Sequence, residues 1–380
     1  MGAISVSKII VKEVANDIDI KEFVNLPFRL YSKDEPWVPP ITSDFKKYII
    51  GVGNYLNQSG PNTRILAYDN DKVVGRLLVG INEHINHAKG FKEGYISLFE
   101  CIKDKEVAFL MLDFAESWLS ERGMTLIKGP LSLPGGDDCR GFIIDNFTDA
   151  TSVMNTYNKK YYNDYFEEYG FEKYLDCYAY KSDIHNDNIS RYEKLVPYAM
   201  KKHKYRVDRI DLKNIDKEIK DVKSIIERAM PAEWDDFIPP NDEELELIKK
   251  QIVPLADPDL IYIARTEEGE PIGFNISIPD YNQVLSKLKG KLLPFGIFKF
   301  LYYKRKIDAI RFFVLFVVPE YRLKGVSSAI YLKSYIAALD KGYKFVEGST
   351  IWEYNDPMII DIEKYGGVRY KTYRIYKKEI

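Results

Sequence analysis

Read for its apolar and polar positions alone, the C-terminal half of the chain alternates short apolar runs with longer amphipathic ones. Strands are predicted over 205–210, 260–265, 272–278, 310–318, 344–348 and 371–376, each a brief stretch rich in β-branched or aromatic residues and bounded by turn residues. Helices are predicted near 216–229, 242–252, 327–341 and 356–365, where apolar residues recur at three- and four-residue spacing. Gly342 and Gly366 follow two of these as stop signals. The run 310–318 is apolar almost throughout, as expected of a strand buried on both faces of a sheet.

The N-terminal half passes through the same order. Ile65-Leu-Ala-Tyr-Asp-Asn-Asp-Lys-Val-Val-Gly75 matches Ile263-Ala-Arg-Thr-Glu-Glu-Gly-Glu-Pro-Ile-Gly273 as a hairpin, and Tyr169-Gly-Phe matches Tyr365-Gly-Gly near the end of each half. Gly123 to Gly129 repeats the spacing of Gly342 to Gly348 at an offset of 219, with extra residues at 281–303 in one half and 131–155 in the other. An internal duplication decides the architecture before any single element does. The expected class is α/β with a mixed sheet, in two domains, 1–182 and 191–380, joined by the polar linker 182–190.

Composition narrows the function classes. A chain of 380 residues is longer than one core usually serves, in keeping with two domains. Lys and Arg number 55 against 57 Asp and Glu, so nothing in the charge balance favours a nucleic-acid partner. Three scattered cysteines (Cys101, Cys139, Cys177) suit a reducing compartment, and the four histidines lack metal-ligand company, so no metal is expected. No apolar run approaches the ~20 residues of a membrane span, and the N-terminus has no apolar signal core, so a cytoplasmic location is expected. Val6 stands where myristoylation needs a hydroxyl. Gly135-Gly136-Asp137-Asp138 reads as a plain loop, since acids follow the glycines and no base precedes them.

The most informative segment follows the apolar strand: Pro319-Glu-Tyr-Arg-Leu-Lys-Gly325-Val-Ser-Ser328. A basic loop with one glycine opens a helix, and the unpaired amides of that helix start, with its positive dipole end, form an anion seat. Gly325 permits close approach of a phosphate, Arg322 and Lys324 add charge, and Ser327 and Ser328 can cap the helix or donate to oxygen. The series Arg322-Leu-Lys-Gly325-Val-Ser327, then Glu347 to Asn355, then Tyr365-Gly-Gly367 resembles the GNAT superfamily of N-acetyltransferases. Ser327 replaces that family's final Gly or Ala in the loop. With Leu26-Pro-Phe-Arg-Leu-Tyr31 and Trp37-Val-Pro-Pro40, the whole chain looks like a little-characterised bacterial group with tandem GNAT-like domains.

The resemblance implies that acetyl-CoA or another acyl-CoA lies between two splayed strands of the C-terminal domain. Backbone groups of Phe316, Val317 and Val318 would bind pantetheine, and amides from Arg322, Leu323, Lys324, Gly325, Val326, Ser327 and Ser328 would hold the pyrophosphate. Asn355 sits where the family's Asn contacts the cofactor, and it equally reads as the N-cap of the helix holding Pro357. The N-terminal loop, Lys103-Asp-Lys-Glu106-Val-Ala108, aligns Glu106 with Gly325, so only the C-terminal domain is expected to bind the cofactor.

Acyl transfer to an amine needs a base, an oxyanion donor and a proton for the leaving thiolate. Glu347 is the first candidate base and Glu353 the second. The family's Tyr donor position holds Ile362, so Tyr354 or another Tyr substitutes, or the thiolate leaves unassisted. The expected activity is N-acyl transfer, with acetyl first, to an amine of a small molecule or peptide. A longer-chain N-acyltransferase and a catalytically silent acyl-CoA sensor are the alternatives. The apolar stretch 292–303 serves either as packing or as a wall for a long acyl chain. The sequence sets no oligomeric state.

Overall fold

A computed structural model describes residues 9–134, 139–184, 189–231 and 233–380. The 135–138 loop, Val6 and the middle of the 182–190 linker lie outside the described residues. The strands are β1 (Ile9–Glu13), β2 (Asn62–Asp69), β3 (Lys72–Ile81), β4 (Glu93–Cys101), β5 (Leu126–Gly129), β6 (Phe142–Ile143), β7 (Glu172–Asp183), β8 (Tyr205–Arg209), β9 (Tyr262–Thr266), β10 (Pro271–Pro279), β11 (Ala309–Val317), β12 (Phe345–Trp352) and β13 (Val368–Glu379). The helices that position the site are α1 (Asp17–Leu30), α2 (Lys105–Ser120), α3 (Ile189–His203), α4 (Ile215–Ala229), α5 (Gly296–Lys304), α6 (Val326–Asp340) and α7 (Asp356–Lys364).

The chain forms two compact units that are not contiguous in sequence. Unit one comprises Met1–Cys177, Leu285–Phe300 and Thr372–Ile380, and unit two comprises Tyr178–Val284 and Leu301–Lys371. In unit one, β1, β2, β3 and β4 form an antiparallel meander, and β5 then runs parallel to β4. In unit two, β8, β9, β10 and β11 repeat the meander, and β12 runs parallel to β11. The shared order is the structural counterpart of the sequence repeat. A parallel neighbour needs a crossover, and α2 and α6 supply it in the respective units.

The crossover helices are held by burial. Val107, Ala108, Met111, Leu112 and Ala115 of α2 join the core of unit one. Gly75 on β3 leaves room for Met111, whose sulfur would stand 2.8 Å from a Cβ there. In unit two, Val326, Ala329, Ile330 and Leu332 of α6 pack with Ile263, Ile272 and Phe274. The end of β13 belongs to unit one, where Tyr376 pairs with Gly129 and Lys378 with Ile127 along β5. The last strand of the chain therefore completes the sheet of the first unit.

Candidate active site

The ladder between β11 and β12 covers four pairs, from Ala309–Phe345 to Phe312–Gly348, and then stops while both strands continue. Where it stops, β11 carries one residue too many. Ile276 pairs with Val314 and Ser277 with Phe312, which leaves Phe313 unmatched on β10. Such a bulge bends its strand, and the bend falls where β11 parts from β12. Beyond it, Phe313 to Val317 are only half-buried. Val318 donates its amide to Ile272 at 3.0 Å, on the β10 side. Backbone groups alternate sides along a strand, so Phe316 and Val318 direct theirs at β10, whereas Leu315 and Val317 direct theirs into the gap. Of the three positions expected to face pantetheine, Val317 alone turns its backbone groups into the gap, where its carbonyl accepts from Arg322 Nε.

At the outer end of the gap, the turn Pro319–Tyr321 leads through Arg322, Leu323 and Lys324 to Gly325, the N-cap of α6. Gly325 has φ +79°, and an added Cβ would stand 3.1 Å from the Ala199 Cβ on α3. Both facts favour glycine, any side chain here being strained. Among the described residues no side chain caps α6, whose first internal bond runs from the Ala329 amide to the Gly325 carbonyl at 2.9 Å. The amides of Val326, Ser327 and Ser328 thus precede the helical ladder, as an anion seat demands.

The neighbouring side chains do more than add charge. Arg322 donates Nε to Val317 O at 3.3 Å and Nη2 to Ala229 O at 2.7 Å, which ties the loop to the end of α4. Lys324 lies over the Tyr321 ring at 4.6 Å, and its carbonyl accepts from Tyr205 Oη. Ser327 Oγ donates to Asp361 Oδ2 at 3.4 Å. Leu323 is fully exposed at φ +61°.

Glu347 occupies the inner end of the gap. It pairs in register with Arg311 one step before the ladder ends and is 4% exposed. Ser349 Oγ donates to its Oε1 and Tyr370 Oη to its Oε2. Arg311 donates Nη2 to Ser349 O at 3.0 Å, so the carboxylate sits within a buried polar knot. Glu353 and Tyr354 lie past the outer end of β12. Trp352 is five residues from Glu347, roughly 17 Å along a strand, so Glu347 and Tyr354 stand at opposite ends. Asn355 caps α7 and accepts from the Met358 amide at 3.4 Å. Ile362 packs on β12 so closely that a Cβ on Gly348 would lie 2.3 Å from its Cδ1. Among the described residues no cluster of His, Cys, Asp or Glu is arranged to hold a metal, and no helix is long and apolar enough to cross a membrane.

No protein-family model matches the sequence. Solved structures do match the fold. A GCN5-related glucosamine N-acetyltransferase region of a fungal multi-domain GH3 β-N-acetylglucosaminidase aligns over all of this chain and 39% of its own, with 17% identity and a TM-score of 0.59. A tandem GNAT protein from the clavulanic acid biosynthesis pathway aligns over 98% of both chains, with 12% identity and a TM-score of 0.57. The chain has the tandem GNAT fold. Two bacterial proteins are similar along nearly their whole length. Protein YghO of Escherichia coli is 26% identical over 98% of this chain and 95% of its own. The bacterial ceramide synthase of Caulobacter vibrioides is 26% identical over 97% and 96%.

The two GNAT units differ at their helix starts. In unit one the N-cap of α2 is Asp104, whose carboxylate accepts from the Glu106 amide at 2.9 Å. Judged by helix starts, Asp104 stands opposite Gly325, and Glu106 lies two residues further in, a correction to the alignment by offset. A carboxylate of the chain itself therefore occupies the anion position of the first unit. That unit's β4 also bulges, with Leu98 at φ +55°. Its Glu100 is buried and accepts from Tyr31 Oη and Tyr162 Oη, each at 2.8 Å. Burial pushes the Glu100 carboxyl up.

Unit two also holds an aromatic group that no motif in the sequence singles out. Trp234 lies 6.0 Å from the Phe316 ring on β11 and 6.5 Å from Tyr354 beyond β12, while Phe237 packs edge-on against Trp352 at 5.6 Å. Trp352 and Tyr354 stack at 6.0 Å. Side chains from the loop after α4 thus touch both splayed strands. The signal available was Trp234 and Phe237 standing among acids and prolines, where a connecting loop has no need of large rings.

Asp361 is the one described carboxylate bonded to the start of α6, and burial pushes its carboxyl up. Asp361→Asn is expected to tighten acyl-CoA binding about two- to fivefold at neutral pH, the ordinary worth of a charge near a helix end. Lowering the pH neutralises Asp361 in the wild type, so the gap between the two proteins closes on acidification. Calorimetric titration of both proteins at two pH values checks the sign.

Proposed function

We propose that the protein is an acyl-CoA-dependent N-acyltransferase that uses unit two. The observation carrying this reading is the combination of a ladder ended at Phe312–Gly348 and an uncapped helix behind Gly325 at the outer end of the resulting gap. A diphosphate at the start of α6 leaves the thioester arm to run inward along β11. The five steps from Phe312, where the ladder ends, to Val317 span roughly 17 Å, comparable with an extended pantetheine arm, so the carbonyl arrives near Glu347.

The proposed chemistry balances without a metal. Glu347, through water, accepts a proton as the amine nitrogen attacks the thioester carbonyl, and main-chain amides of the splayed part of β11 receive the oxyanion. Collapse breaks the carbon–sulfur bond and yields amide and thiolate, and the carboxyl returns its proton to sulfur. Ile362 cannot donate that proton, and Tyr354 stands at the far end of β12. Tyr370 and Ser349 hold Glu347 in place.

For the acyl group, the ceramide synthase relative supports a long chain over acetyl. A ceramide is the fatty amide of a long-chain amino alcohol, which makes such an amine the acceptor class to test first. Thiol release is to be followed with acetyl-CoA and palmitoyl-CoA against short and long-chain amines. The expected result is a kcat/KM for palmitoyl-CoA at least about a hundredfold above that for acetyl-CoA with the long-chain amine, since several methylenes contribute to the pocket. Binding of acyl-CoA without turnover on any amine points instead to the sensing role.

A further inference from the structure

The segment Leu285–Phe300 leaves a tip that the core does not use. Its base is fixed within unit one: the Gly290 carbonyl accepts from the Thr42 amide at 3.0 Å and from Thr42 Oγ1 at 2.9 Å. Gly290 stands at φ +79°, and a Cβ there would lie 2.7 Å from the Phe28 ring at the end of α1. Beyond this anchor, Leu293 is 76% exposed, Phe295 75% and Phe298 69%. None of the residues of α5, which begins here, is buried. Large apolar side chains fixed in that state cost free energy in water and mark a binding surface.

The charge around the tip selects the partner. Lys287, Lys289, Lys291 and Lys299 all lie in this segment and are exposed, and the stretch from 281 to 307 contains no Asp or Glu. This concentration occurs in a chain of net charge −2. We propose that this tip inserts into the surface of an anionic phospholipid bilayer, the apolar side chains entering the acyl boundary while the lysines meet the headgroups. A second copy of the chain fits poorly, because a symmetric pairing sets lysines against lysines. Nor does the tip resemble a pocket for one acyl chain, since its side chains point out into solvent.

Flotation of the full-length protein with vesicles tests this without reference to turnover. Binding is expected to vesicles of equal parts phosphatidylcholine and phosphatidylglycerol and not to phosphatidylcholine alone, and to weaken as salt is raised to ~0.5 M. The double variant Phe295→Ser/Phe298→Ser is expected to lose at least about tenfold in vesicle affinity with an unchanged melting temperature. Lys287→Glu/Lys289→Glu/Lys291→Glu should abolish the preference for phosphatidylglycerol. Failure to float with the mixed vesicles, or equal flotation of the serine variant, overturns the proposal. So does a concentration-dependent dimer that the serine variant abolishes, which would assign the tip to self-association.

Discussion

Gly325→Glu abolishes acyl-CoA binding while leaving both units folded: a loss of at least about a hundredfold in affinity is expected. Two effects combine. A carboxylate facing a diphosphate costs on the order of 1–4 kcal/mol at surface-like dielectric, and its side chain covers the amides of Val326 to Ser328, to which the proposed function assigns the phosphate. The backbone contribution is smaller. A side chain at φ +79° costs roughly 1–2 kcal/mol, which lowers the melting temperature by only a few degrees in a unit of this size. Gly325→Ala carries the same backbone cost without the charge, so the difference between the two variants, read by titration with acyl-CoA, isolates the electrostatic part. The comparison in unit one has the opposite expectation. Asp104→Ala removes the carboxylate that caps α2 and should leave acyl-CoA affinity unchanged. A large gain there, with binding kept in Gly325→Glu, would move the seat to the first unit.

What the sequence made legible depended on how local each determinant is. The start of α6 lies within one residue of the predicted helix because Gly325 and the serines act on their own backbone. Asn355 followed by Pro357 likewise announces an N-cap, and the structure places it there. The strand predicted at 344–348 runs on to Trp352. Its outer half lacks a ladder partner on β11, so the alternation that betrays a strand is weak there. Non-local facts were harder to read. Nothing in residues 372–380 states that they complete the sheet of unit one, because the Tyr-rich closing strands of both halves look alike and the choice of partner is made by packing. The same holds for Trp234, whose contacts with Phe316 and Tyr354 join residues far apart in sequence. Counting by offset placed Glu106 opposite Gly325, whereas the helix itself begins two residues earlier in register, at the Asp104 cap. Helix boundaries are set by caps, and an offset carried across insertions does not preserve them.

Glu347→Gln should lower kcat by about a hundred- to ten-thousandfold, the usual worth of a positioned base, with little change in KM for acyl-CoA. The separation of effects follows from placement. Glu347 stands at the inner end of the gap, where β11 and β12 still pair, while the diphosphate seat we propose lies at the outer end behind Gly325. Gln keeps the volume of the buried side chain. It cannot accept a proton at neutral pH, and its amide nitrogen cannot accept the hydroxyl bonds that Ser349 and Tyr370 give to the two carboxylate oxygens. One of those hydroxyls must therefore turn away, which costs some stability. The informative measurement is a split: single-turnover thiol release read beside acyl-CoA affinity and melting temperature. A base gives lost turnover with retained affinity. A merely structural carboxylate gives lowered stability and affinity together, with turnover per bound acyl-CoA intact. Tyr354→Phe supplies the contrast, because its hydroxyl lies past the outer end of β12 and its removal should change kcat by no more than about twofold, the ordinary effect of a group outside the transition state. If Tyr354→Phe silences turnover and Glu347→Gln does not, the acid–base machinery sits at the aromatic mouth beside Trp234, and the thioester must enter from the opposite direction.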